Sequence, residues 1–419
     1  LLKKTSRADT NLIVLTAVSA GLIFAVHPLQ TQAVTYIVQR VTSLVTLFFL
    51  LANNLFFFYN VNSAKLSAKK MVLLAGAVLM AGVAGAISKE NGMVLPAVLL
   101  LQVLVFSPSR LRARNLLNPI LLIAMLLLIS IGIIVSRRTL SEYPASLRIT
   151  PLGEQLTHYS YGLTQLAVLP RYLGQIILPV SQNVDHVVPV VSTFGSRSLI
   201  GVFVIACLFV LMWISRKRQP MIAFGIGWFF ITMLVESSVF YINDVYVEHR
   251  MYLPLIGFLL SLASLSTTLL LTKKNGAKYF ALAVCVLVIT LSIATYRRNI
   301  VWQSENSLWS DAAQKAPHNP RAHYNLAIEE LHSNNPSAAA ASLLNAIDAD
   351  PKFHRAYNNL GAMMFQSGEY GLAVKYFMMA LSFDVTKELY DKNLSTAIEY
   401  LDSPDSTSPP PRMADAMYQ

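Results

Sequence analysis

The feature that most constrains this chain is a regular alternation between apolar stretches and the charge of the loops joining them. A bilayer-crossing helix needs roughly 20 apolar residues, and nine stretches approach that length: 11–26, 32–58, 71–87, 93–106, 116–136, 199–215, 220–238, 252–272 and 279–296. Alternate connections carry Lys3, Lys4 and Arg7; Lys65, Lys69 and Lys70; Arg110, Arg112 and Arg114; Arg216, Lys217 and Arg218; and Lys273, Lys274 and Lys278. These fifteen basic residues meet a single acid, Asp9, whereas the intervening connections 27–31, 88–92 and 239–251 hold only Lys89 and Arg250 as basic residues. Basic loops accumulate on the cytoplasmic side, so the pattern predicts a cytoplasmic N-terminus and places everything from Arg297 onward outside the cytoplasm. The long connection 137–198 is then also external. Its segment from Tyr161 to Val180, interrupted by Pro170 and Arg171, reads as an interfacial or re-entrant helix, since a tenth span would break the alternation.

Composition agrees with a membrane chain: 54% of the residues are hydrophobic and only 13% charged. Residues 1–296 carry a net charge of +15 and residues 297–419 a net of −4. The basic excess is therefore accounted for by loop topology, which argues against nucleic-acid binding and leaves membrane lipids as the surroundings of the basic half. Cys207 and Cys285 both lie in apolar runs, so neither a disulfide framework nor a thiolate metal site is indicated.

Beyond about Pro317 the pattern changes to short amphipathic helices with an internal period. Leu326, Ala327, Ala339, Leu343, Ala346 and Pro351 recur 34 residues later as Leu360, Gly361, Ala373, Phe377 and Ala380, with Val385 departing from the pattern. This is tetratricopeptide spacing. It predicts repeats at 320–353 and 354–387, flanking helices at 304–315 and 386–401, and a Ser- and Pro-rich disordered tail at 403–419. The expected fold is all-α: a polytopic membrane domain over 1–296 and an extracytoplasmic helical solenoid over 297–402, whose concave face suits a peptide or partner protein.

With sidedness assigned, the polar residues on the external side gather from three loops. The first supplies His27, Pro28, Gln30 and Gln32, followed by Arg40, about 12 Å along the next helix at 1.5 Å per residue. The second supplies Ser88, Lys89, Glu90, Asn91 and Gly92; the third Asn243, Asp244, Tyr246, Glu248, His249 and Arg250, with Glu236 just before it. Ionisable groups at membrane depth are costly and mark functional sites by default. The bland readings are salt bridges that close a helix bundle and, for His27, a structural imidazole. The adjacent Glu248, His249 and Arg250 are more specific, because three ionisable groups before an apolar span have little packing rationale. Arg40, Lys89 and Arg250 suit a phosphate or pyrophosphate. The ligand types of His27, Asp244, Glu248 and His249 are compatible with a divalent metal, although no helical ligand spacing supports one.

Four ordered strings, HPLQTQAVTYIVQR (27–40), SKENG (88–92), VEHRMYLPLIGF (247–258) and RNIVWQSENSLWSDAAQKAPHNPRAHYNLA (298–327), resemble the GT-C class of membrane glycosyltransferases that carry C-terminal tetratricopeptide repeats. The nearest are the transmembrane-and-tetratricopeptide O-mannosyltransferases of the endoplasmic reticulum and bacterial membrane proteins of the same layout. The HRMYLP wording is closer to the bacterial branch, which implies an inner membrane with repeats on the periplasmic side. The resemblance implies transfer of a sugar from a polyprenyl-phosphate donor to a protein hydroxyl at the external face. It implies that Arg40 and Arg250 contact the carrier phosphate, with His27, Lys89, Glu248 and His249 orienting it. It also implies that the catalytic acids lie in a loop upstream of Leu1, together with two further spans. A non-catalytic membrane-anchored scaffold for an external assembly is the alternative, and a lipid-linked oligosaccharide ligase or polymerase a third.

The sidedness is directly testable. A reporter active only outside the cytoplasm should be silent when fused after Lys274 and active when fused after Ala316; the opposite result overturns the topology.

Overall fold

The computed structural model describes residues 7–62, 65–106, 117–140, 156–235, 237, 244–270, 275–384 and 388–402, and every regular element among them is helical. Glu236, Asn243, Val385, the basic residues 110–114 and 273–274, and the tail 403–419 lie outside the described residues. Two compact units are formed. One comprises residues 1–148, 156–182 and 190–300; the other comprises 149–155, 183–189 and 301–419.

The first unit contains eleven helices among the described residues: α1 (Arg7–Val26), α2 (Thr31–Thr35), α3 (Arg40–Asn62), α4 (Ala68–Ser88), α5 (Leu95–Phe106), α6 (Leu117–Leu140), α7 (His158–Ile177), α8 (Ser196–Ser215), α9 (Pro220–Leu234), α10 (Tyr252–Leu270) and α11 (Gly276–Val301). Each of the nine apolar stretches carries at least one of them, and the second carries both α2 and α3. By length and composition five described helices can cross a membrane, or six if the bent pair Ile13–Val26 and Pro28–Thr35 counts as one span. The apolar helices at Glu90–Phe106, Leu121–Gly132 and Pro220–Leu234 are shorter. Large apolar side chains face outward along this unit, including Val72, Leu73, Phe203, Trp213, Leu282 and Val286. That is the surface a hydrocarbon solvent requires.

The core of the unit is built where α3, α4, α5, α9 and α10 meet, around Phe49, Phe56, Val78, Leu95, Leu99, Phe224, Trp228 and Leu253. Phe49 meets Trp228 edge to face with ring centroids 5.2 Å apart, the arrangement that the ring quadrupoles favour. The one polar atom of Trp228 is satisfied, because its Nε1–H donates to the Leu253 carbonyl at 2.9 Å. Helices α9 and α10 touch backbone to backbone: a Cβ on Gly225 would strike the Gly257 carbonyl and Ser261, and one on Gly257 would strike Gly225. Small residues at such a crossing let dispersion contacts form where no hydrophobic force drives helices together.

One expectation is corrected here. The second apolar stretch is not one helix, because the chain turns extended at Tyr36 (φ −73°, ψ 114°) and passes through a 3₁₀ turn at Ile37–Gln39 before α3 begins. Arg40 is therefore the first residue of α3 and exposed, not a residue two turns inside a helix. The segment read as an interfacial or re-entrant helix carries α7, which runs uninterrupted through Pro170 and is opened by a capping box in which Thr157 and Ser160 bond reciprocally. It lies alongside the start of α8 in parallel: Ser198 Oγ donates to the Leu163 carbonyl, and Gly201 admits the Leu166 carbonyl where any Cβ would clash.

The second unit carries α12 (Glu305–Lys315), α13 (Pro320–His332), α14 (Pro336–Ala349), α15 (His354–Gln366), α16 (Tyr370–Phe383) and α17 (Glu388–Asp402). The 34-residue period is structural: α13 and α15 start 34 residues apart, as do α14 and α16. The turns repeat too, with Asn334 (φ 57°) and Gly368 (φ 80°), also 34 apart, in the left-handed region that Asn and Gly tolerate best. Small buried residues recur where helices touch, as in Ala339 and Ala373 or Ala346 and Ala380, and Gly361 leaves room for the Phe377 ring.

The sequence did not indicate that residues 183–189, from the long connection between α7 and α8, belong to this repeat unit. Asp185 forms a two-pronged ion pair with Arg321, with Nε to Oδ2 at 2.6 Å. Asn319 donates to the Asp185 carbonyl at 3.2 Å, Asn183 donates to the Ala312 carbonyl at 3.3 Å, and Val184 packs on Ala312, Ala313 and Ala322.

The glycine crossing yields a stability test. Gly225→Val should destabilise the detergent-solubilised protein by about 1–3 kcal/mol through overpacking, read as a lowered melting temperature. Gly76→Val in α4, where a Cβ meets open space, should leave it unchanged.

Candidate functional site

The loops joining the membrane helices on the side read as external form one hydrogen-bonded assembly within the first unit. Its hub is the segment 27–35. His27, almost fully buried, caps the 3₁₀ turn Pro28–Gln30: its Nδ1 accepts from the Leu29 N–H at 3.3 Å. That leaves the proton on Nε2, 3.0 Å from the Ile176 carbonyl at the end of α7. Both ring nitrogens are thus engaged with backbone, and His27 ties the first loop to α7. The side chain of Gln32 accepts the His249 backbone N–H at 2.9 Å, joining the first loop to the third. Ser43 Oγ donates to the Ala33 carbonyl at 3.0 Å and Arg40 Nε to the Val34 carbonyl at 3.2 Å, joining it to α3.

The third loop is clamped by α7, which sequence reading treated only as an interfacial or re-entrant helix. Gln165 Nε2 donates to the Val245 carbonyl at 2.8 Å. The Tyr172 hydroxyl accepts from the Val247 N–H at 3.1 Å and donates to its carbonyl at 3.2 Å. Tyr246 donates to Gln175 Oε1 at 2.5 Å, stacks 4.4 Å from the Tyr172 ring, and lies under the Arg171 guanidinium, 4.6 Å from its ring centroid. Burial pushes the Tyr246 phenol well above its ordinary pKa, with Tyr172 adding to the rise, so it stays a neutral donor. The signal that could have found this clamp was the spacing of Gln165, Tyr172 and Gln175, polar groups about two and three turns apart on an otherwise apolar helix.

The charged candidates separate into two groups. Glu248 and Arg250 are 2% and 3% exposed. Glu248 Oε2 accepts from Gln182 at 3.2 Å, and the Arg250 guanidinium donates to the carbonyls of Val245 and Asp244 at 3.0 and 2.8 Å. Arg250 thereby shapes its own loop. Lys89 and Arg40 converge on the first turn of α3. Lys89, buried at the end of α4, places Nζ 3.1 Å from Thr42 Oγ1, two residues beyond Arg40. The 3₁₀ turn Glu90–Val94 that follows Lys89 folds tightly onto α4, since a Cβ at Gly92 would collide with the backbone at Gly85.

Among the described residues no group of three or more His, Cys, Asp or Glu side chains is placed to hold a metal ion, so His27, Asp244, Glu248 and His249 are not assembled as ligands. Their positions are set by the backbone bonds described above. Polar atoms in the same loops are buried without a protein partner among the described residues: both amide atoms of Gln30, Thr31 Oγ1 and Asn91 Oδ1. Such groups carry a desolvation cost that a polar ligand would relieve.

Removing the Arg250 guanidinium leaves two buried carbonyls without its donors. Arg250→Ala should cost about 3 kcal/mol, measured as a drop in melting temperature in detergent; an unchanged melt would contradict a loop-shaping role.

No protein-family model and no solved structure matches the chain. Among curated proteins it is similar to a protein O-mannosyl-transferase of Caenorhabditis elegans, 26% identical over 344 residues, which are 81% of this chain and 46% of that protein. It is 25% identical to the human protein O-mannosyl-transferase TMTC1 over 236 residues, 55% of this chain and 26% of the relative. It is 23% identical to human protein O-mannosyl-transferase TMTC3 over 402 residues, 87% of this chain and 42% of the relative. The chain spans less than half the length of these relatives, and the match to the nematode protein is long enough to take in residues of both units.

Proposed function

We propose that the chain works in an integral-membrane protein O-mannosyltransferase of the GT-C type, which moves a sugar from a polyprenyl-phosphate donor to a protein hydroxyl on the extracytoplasmic side while the helical repeats engage the acceptor. The observation that carries this reading is a similarity to proteins named protein O-mannosyl-transferases that extends over both units. The loop assembly supports it by collecting cations and unsatisfied amide and hydroxyl groups beside apolar helices, where the head group of a lipid-linked donor would rest.

In such a transfer a general base takes the proton of the acceptor hydroxyl, the hydroxyl oxygen bonds to the anomeric carbon, and the bond to the lipid phosphate breaks. Negative charge gathers on the departing phosphate, and fixed cations nearby lower the barrier. The residues assigned here act on that phosphate side. Arg40, exposed at the start of α3, and Lys89, fastened to Thr42 two residues further along, are the pair that contacts it. His27, Glu248, His249 and Arg250 hold the loops around it in shape. The side-chain amides of Gln30 and Asn91 supply neutral polar contacts to the sugar or phosphate.

Binding of a polyprenyl-phosphate mannose to the protein in lipid nanodiscs tests this assignment. Arg40→Ala should weaken binding roughly tenfold or more, the worth of one good charge-assisted contact to a phosphate, without lowering the melting temperature, since Arg40 is exposed. Equal binding by the variant would remove Arg40 from the site. If the unaltered protein binds no lipid-linked sugar and copurifies with a stoichiometric external partner, a scaffold replaces the transferase.

A further inference from the structure

Arg321 and Arg355 stand 34 residues apart, each the second residue of its helix, α13 and α15. They occupy the same place in successive repeats. At the first of these places the occupant is visible. Asp185, 6% exposed, presents its carboxylate to the Arg321 guanidinium, while Asn319 binds the carbonyl of the same residue and Val184 settles on Ala312, Ala313 and Ala322. Residues around Asp185 form no helix or strand. The repeat unit thus already grips one irregular, acid-bearing segment through a helix-start arginine, with a planar fork matched to the two oxygens of a carboxylate.

One repeat further on, the corresponding Arg355 is exposed. The surface around it is held rigid. Asn393 donates to Asn358 at 2.9 Å, Asn358 to Asn359 at 3.4 Å, and Asn359 to the Tyr324 hydroxyl at 3.3 Å, a chain of bonds that locks α13, α15 and α17 together. His354 Nδ1 lies 2.6 Å from the Tyr390 hydroxyl on the same surface. An exposed cation on a surface braced in this way suits an anionic side chain better than an apolar one, and a pre-organised surface loses less entropy on binding.

We propose that Arg355 docks a carboxylate of an extended acidic segment of a partner protein, in the manner that Arg321 holds Asp185. Calling that partner the acceptor rests on the function proposed above; the docking itself does not.

The test uses the full-length chain in detergent and two fluorescent synthetic peptides, one with the sequence of residues 181–189 and one with Asn in place of its aspartate. Arg321 is shielded from the probe, because its own Asp185 is tethered to it at high effective concentration. The aspartate peptide should bind the unaltered protein about tenfold more tightly than the asparagine peptide. Arg355→Ala should abolish that preference, and Arg355→Lys should restore it only in part, since an ammonium lacks the fork. An unchanged melting temperature for both variants shows that the fold is retained. Equal binding by Arg355→Ala, no preference for the aspartate peptide, or no peptide binding at all would each overturn the proposal. Transfer of sugar does not enter the readout: lost transfer with intact peptide binding counts against the transferase alone.

Discussion

Everything around the candidate site follows from the cost of leaving polar backbone unpaired where water is scarce. A loop that turns back into an apolar bundle must satisfy its N–H and C=O groups within the protein, because an unpaired one costs several kcal/mol in hydrocarbon. The segment 27–35 shows both sides of that requirement: its Ala33 carbonyl accepts from Ser43 of α3, while its His27 and Gln32 side chains answer the Ile176 carbonyl of α7 and the His249 N–H of the third loop. Those bonds set where the ionisable side chains stand.

The same constraint divides the charges by role. A guanidinium buried in such surroundings needs acceptors to offset its lost hydration, and Arg250 finds them in two carbonyls of its own loop. His27 has both ring nitrogens turned to the main chain. These residues build the walls. Arg40, by contrast, lies exposed where the chain re-enters as α3, beside the anchored Lys89. On the function proposed above, a donor phosphate would meet the exposed cation first, with the buried ones having already fixed the shape of the loops.

The repeat unit solves a different problem, that of burying short helices none of which has a core of its own. Small residues at 34-residue intervals let the helices close upon one another, and the buried asparagines cross-link every second helix. Its first helices also receive the segment 183–189, so that an acid and a valine from a distant loop complete the packing around Ala312 and Ala322.

Much of this was legible in the chain itself. The apolar stretches marked where helices of the first unit lie, because hydrophobic length acts locally. The 34-residue period determined the helix pairs, because helix contacts recur with the repeat. What only the tertiary structure decided were the contacts with no period and no motif. The break at Tyr36, which moves Arg40 to the head of α3, carries no proline or glycine to announce it. The grip of Gln165 and Tyr172 on the third loop joins residues 75 to 80 positions apart, and that of Arg321 on Asp185 spans 136. Local chemistry specifies helices; which buried polar group answers which is settled only when distant segments compete for the same donors and acceptors.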